Sequence, residues 1–225
     1  MQEFLLALPI LLFSMVAHEF AHGYAAMTQG DDTAYKLGRL TLNPIKHIDP
    51  WMTILMPALL WFGSGGRFIF GGAKPVPVDP RNYHNYRRGD IIVSAAGIVT
   101  NMLLAILCVG LSIGVGLLGQ SLGTETGVLV LLQRMLFWGI WLNLLLAVFN
   151  LIPIPPLDGS HLFYHLLPPK LGLKYRQVSR YGVLILLAIF MFFPHVLPVL
   201  LFPAILMAQL GFSLTEPFAL QPFGL

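Results

Sequence analysis

From Ile91 to Leu118 no residue carries a charge, and that run exceeds the roughly 20 apolar residues a helix needs to cross a bilayer core. Similar runs occupy residues 4–27, 128–152 and 183–210, the last interrupted by Pro194, Pro198 and Pro203. Lipid offers no partners to backbone N–H and C=O groups, so isolated apolar runs of this length cross as helices. Hydrophobic residues make up 56% of the 225-residue chain and charged residues only 10%, against about 25% in soluble domains. The expectation is an all-α polytopic membrane protein: a single membrane-embedded domain, residues 1–225, with four transmembrane helices at 4–27, 91–118, 128–152 and 183–210.

Residues 51–78 fit none of these runs. Trp51 to Phe62 is apolar but short, contains Pro57 and runs into Gly63-Ser64-Gly65-Gly66, a pattern more typical of a re-entrant or interfacial segment than of a span. Phe68-Ile69-Phe70 and Val76-Pro77-Val78 flank Gly71-Gly72-Ala73-Lys74-Pro75, which predicts a short membrane-associated β-hairpin with a proline-marked edge. Residues 31–50, with prolines at 44 and 50, predict a surface loop, and 161–180 a basic loop.

The first run carries the chemistry. His18-Glu19-Phe20-Ala21-His22 places two imidazoles one helical turn apart on a shared face, where both can bind one Zn2+ ion with Glu19 beside them as base. Charged groups cost about 2.5–3.5 kcal/mol each at the centre of a spanning helix, so three such side chains within five residues argue against chance. Two histidines leave zinc short of the three protein ligands of a catalytic site. Asp158 is the best third ligand, because Pro153-Ile154-Pro155-Pro156 ends the third helix just before it and turns the chain; Asp49 is the alternative. Asn150 is a candidate donor to the substrate backbone or a developing oxyanion. His47, His84, His161, His165 and His195 read as loop or packing residues.

Charge sets the expected topology. If residues 51–70 do not cross, every lysine and arginine except Arg134 lies in loops 31–90 and 161–180 on one side of the membrane. If they do cross, Lys36, Arg39 and Lys46 move to the opposite side. The positive-inside rule favours the first arrangement in a plasma membrane, with the basic loops and the active site toward the cytosol and both termini outside it. The same arrangement lets the first and third helices run parallel, as a ligand set shared by His18, His22 and Asp158 requires. The basic residues therefore read as juxtamembrane groups, and nucleic acid is not an expected partner. Cys108 alone excludes a disulfide framework and a cysteine metal cage.

HEFAH in the first run, AAGIVTN (residues 95–101) in the second and NLIPIPPLDG (residues 150–159) after the third together resemble the site-2 protease family of intramembrane zinc metalloproteases, in its minimal bacterial and archaeal form without PDZ or CBS domains. The resemblance extends from the first helix to about Pro168. It implies His18, His22 and Asp158 as zinc ligands, Glu19 as catalytic base and Asn150 as substrate-positioning residue. The implied substrate is a membrane protein with a transmembrane helix, cleaved in or near that helix within the bilayer. Ile98 stands where the family usually has proline. A zinc transporter or metal sensor using the same ligands is the alternative, but it would need ionisable relay residues that the second and fourth runs lack apart from His195.

Overall fold

The computed structural model describes residues 2–55, 59, 72–123, 127–193 and 195–221. All regular structure among the described residues is helical. Among the described residues, four helical stretches are long and apolar enough to cross a membrane: Leu5–Thr28, Tyr86–Ser121, Val128–Leu151 and Pro169–Phe192. The chain is a multi-pass membrane protein. It divides into two compact units, residues 15–97 and residues 1–14 with 98–225, and the boundaries fall inside two of the long helices.

Helix α1, Gln2–Thr28, has about 40 Å of rise. Its C-terminus is closed by backbone bonds from Asp31 N to Ala26 O (2.9 Å) and Gly30 N to Met27 O (3.2 Å), a Schellman end in which Gly30 takes the left-handed conformation (φ +108°) that side chains disfavour. The chain turns through α2, Thr33–Lys36, 3-10 turns at Pro44–His47 and Pro80–Asn82, and a π-helical turn at Pro50–Leu55. It then enters α3, Tyr86–Ser121.

Asp31 is the hub of the first unit. It is fully buried, and its carboxylate accepts from Thr33 Oγ1 (2.5 Å), Thr33 N (3.2 Å), Asn82 Nδ2 (2.9 Å) and Asp79 N (2.6 Å). Burial opposes its ionisation, but these donors together outweigh it and hold the pKa below its ordinary value. Asp79, in turn, is drawn down to about 2 by hydrogen bonds from Arg81. Ala25, Ala26, Tyr83 and Val93 form the apolar core between the end of α1 and the start of α3.

In the second unit, α4 spans Val128–Leu151. It is followed by α5 Asp158–Leu166, α6 Pro169–Val178, α7 Gly182–Phe192, α8 Val196–Leu200 and α9 Phe202–Thr215. One core gathers Ala105, Ile140, Leu144 and Ala208; another gathers Ile152, Leu157 and Leu186. The buried amides of this unit are paired, as a low-dielectric interior favours. Asn101 Nδ2 donates to Asn143 Oδ1 (2.9 Å), and Asn143 Nδ2 to Gly139 O (2.8 Å). Gln133 fastens the C-terminal segment, donating to Phe218 O (2.9 Å) and accepting from Leu220 N (2.9 Å).

The fourth stretch long and apolar enough to cross, Pro169–Phe192, shares residues 183–192 with the expected 183–210, and the later part of that run holds the separate helices α8 and α9. Two expectations need correction. The 161–180 stretch is helical rather than a loop: Pro169 sits in the first turn of α6, where its missing N–H costs nothing. Val76-Pro77-Val78 forms no strand; two prolines remove ladder donors, and the Val76 N–H is used by a side chain. The other half of the expected hairpin, 68–71, lies outside the described residues. So does most of the expected re-entrant segment, of which Trp51–Leu55 is a helical turn.

Candidate metal centre

His18 and His22 lie on one face of α1, both more than nine-tenths buried, with ring centroids 4.6 Å apart and planes nearly perpendicular. Their Nε2 atoms approach to 3.0 Å. Two nitrogens held tetrahedrally at the usual zinc distances would be separated by about 3.3 Å, so the pair fits one ion with small adjustment.

Helix α3 orients the pair. His22 Nδ1 lies 2.7 Å from Val93 O, and a carbonyl only accepts, so Nδ1 carries the proton and Nε2 presents its lone pair. This is the arrangement by which an outer partner fixes a ligand's tautomer and direction. Gly97, one turn further on, leaves the space the rings occupy: a Cβ there would stand 2.5 Å from Nε2 of His18 and 2.6 Å from Nε2 of His22. Glu19 is half-buried, and its Oε2 accepts from Val76 N at 2.7 Å.

Asp158 opens α5 in the other unit. The preceding chain leaves α4 at Leu151 and turns through Pro153–Leu157, with bonds from Ile154 N to Ile152 O (2.8 Å) and Leu157 N to Ile154 O (3.0 Å). Tyr175 Oη donates to Pro153 O (2.9 Å) and ties the turn to α6. Gly159 admits the end of α4, since a Cβ there would lie 2.1 Å from Leu151 O. Asn150 is part-buried near the end of α4, with one amide N–H donated back to Leu146 O (3.0 Å).

Asp49, the alternative ligand, accepts from Trp51 N (2.8 Å) and caps the turn that begins there. His47 is buried with Nε2 2.8 Å from Thr41 O, a packing role. Val93 O, Gly97 and Val76 N were not singled out by sequence. Two are backbone groups, a carbonyl that every residue supplies and an N–H that every residue but proline supplies, and the only available side-chain signal was a glycine in AAGIVTN.

The model of peptidase family M50 matches residues 6–193, a range that includes every one of these groups. The chain belongs to peptidase family M50, the site-2 protease family. It is 42% identical over 184 residues to YwhC of Bacillus subtilis, covering 80% of this chain and 77% of that one. It is 31% identical over 186 residues to Rip2 of Mycolicibacterium smegmatis, covering 83% and 66%. Both relatives carry zinc metalloprotease in their names. No solved structure matches the chain. This M50 member is thus a membrane-embedded peptidase whose paired histidines sit in a crossing helix.

Proposed function

We propose that this M50 protein hydrolyses a peptide bond in or near a transmembrane segment of another membrane protein, using one zinc ion held by His18, His22 and Asp158. The observation that carries the reading is the histidine pair, fixed by Val93 O and given room by Gly97 within a helix apolar enough to cross a bilayer. The Asp158 assignment is supported by the NLIPIPPLDG sequence and by the resulting donor set of two imidazoles and one carboxylate, which suits a catalytic zinc.

Zinc, when bound, supplies Lewis acidity that lowers the pKa of water toward 7 and polarises the scissile carbonyl. Glu19 accepts the proton of the attacking water and delivers it to the leaving amine. Asn150 keeps an amide N–H beyond the one given to Leu146 and uses it to hold the substrate backbone. The proline turn 153–157 presents peptide groups outside any helix, a form of backbone tolerated at membrane depth only where it is buried or lines a watered cavity. It is therefore a natural place for a locally unwound substrate to pair.

The basic stretches containing Arg39, Lys74, Arg87, Arg88, Lys170 and Lys174 face the cytosol of a plasma membrane. The site lies toward that side and both termini on the other. Residues 1–225 act as one catalytic domain, in keeping with a family match that runs through both units.

The deciding experiment incubates a membrane-embedded reporter with wild type and Glu19→Gln, with zinc measured on both. Glu19→Gln should retain one zinc and lose turnover by at least about 100-fold; cleavage by both forms at similar rates would remove Glu19 as base.

A further inference from the structure

Segment 72–79 is held to its unit by isolated backbone bonds rather than by sheet pairing. Lys74 N donates to His47 O (2.7 Å) and Asp79 N to Asp31 Oδ2 (2.6 Å). Arg39 Nη2 donates to Lys74 O (3.1 Å) and Pro75 O (3.2 Å). Between these anchors the N–H of Val76 meets Oε2 of Glu19 at 2.7 Å.

Proline has no N–H, so Val76 is the one residue of Pro75-Val76-Pro77 with a backbone donor. Its side chain is buried and seated on α1, where a Cβ on Gly23 would come 2.8 Å from its Cγ1. The donor is thereby aimed by packing on one side and by the Arg39 clamp on the other. A hydrogen bond to an ionised carboxylate is among the stronger kinds. Glutamate is otherwise a flexible side chain whose freedom is costly to remove at the moment of reaction.

We propose that the Val76 N–H, held by Arg39 through the carbonyls of residues 74 and 75, positions the Glu19 carboxylate for proton transfer, so that Val76 and Arg39 are positioning residues of this peptidase. The proposal rests on Glu19 being the base.

Val76→Pro removes the donor with little change of path, since the neighbouring prolines already favour extended backbone. With the full-length zinc-loaded protein and the membrane reporter, kcat should fall about 10–100-fold, the range for loss of an outer-shell partner, with KM and zinc content unchanged. The contact itself is read by thermal midpoints in a cycle with Glu19→Ala. Val76→Pro should lower the midpoint in the wild-type background and by clearly less once the acceptor is gone. Equal lowering in both backgrounds, or an unchanged kcat, overturns the proposal. If Val76→Pro does not fold, Arg39→Met decides: a fall in kcat at constant KM and zinc supports the clamp, and unchanged kcat defeats it. Turnover retained in Glu19→Gln would instead remove the underlying reading of Glu19, while the midpoint cycle would still report on the contact.

Discussion

The histidine pair of α1 depends on atoms its own helix does not supply. His22 is turned by Val93 O, and both rings occupy space that exists only because residue 97 has no side chain. Gly97→Ala would place a methyl group 2.5 Å from His18 Nε2, within the distance at which the rings or the helices must shift. It should reduce zinc affinity by at least about 10-fold, read as metal stoichiometry by mass spectrometry, with helical circular dichroism retained. Asp31 acts on the same unit through stability. Its folded-state pKa lies below the ordinary 3.8, so its ionised form stabilises the fold above that pH, and the contribution is lost as pH falls through the lowered value. Asp31→Asn, which sets an amide N–H2 against the donors of Asp79 and Asn82, should destabilise the protein at pH 7. It should also flatten the acid limb of a midpoint-versus-pH curve below about 3.8.

At the level of elements, a proline cluster ends α4, and a buried amide pair joins α3 to α4. The run after Leu151 stops because Pro153, Pro155 and Pro156 cannot continue a helix, and the chain restarts at Asp158. The apolar run beyond Gly182 was legible as membrane-embedded, but not its division. The helical turns of Pro169–Val178 precede it without a break, and its second half holds two shorter helices, α8 with Pro198 inside it and α9 with Pro203 in its first turn. Asn101 and Asn143 join α3 to α4 through a bond both partners bury completely. Asn143→Leu should cost about 1–2 kcal/mol in detergent unfolding, since interhelical side-chain bonds in membranes reach that size. The double change Asn101→Leu with Asn143→Leu should recover part of it, because neither position then buries an unmatched amide.

For the molecule as a whole, the topology is open to a direct check. In a Cys108→Ser background, single cysteines at Lys36 and Lys170 should react with an impermeant maleimide only from the cytosolic side, and one at Gly123 only from outside. Labelling of 36 and 170 from opposite sides would mean that residues 51–70 cross. The class of protein and the candidate ligands were legible because they depend on composition and short-range spacing: charge-free runs of bilayer length, and histidines one turn apart. Family membership follows from the same residues. Orientation of the two histidines and Glu19 was not legible, since it is set by a backbone carbonyl at 93 and a backbone N–H at 76, which nearly every residue type supplies. Nor was the loss of the expected strand at 76–78, whose donor is taken by a carboxylate 57 residues earlier in the chain. The sequence alone therefore determined the solvent this protein lives in and the groups it offers to a metal. The tertiary structure decided how the histidines and Glu19 are aimed, because aim is set by backbone atoms brought together from distant segments.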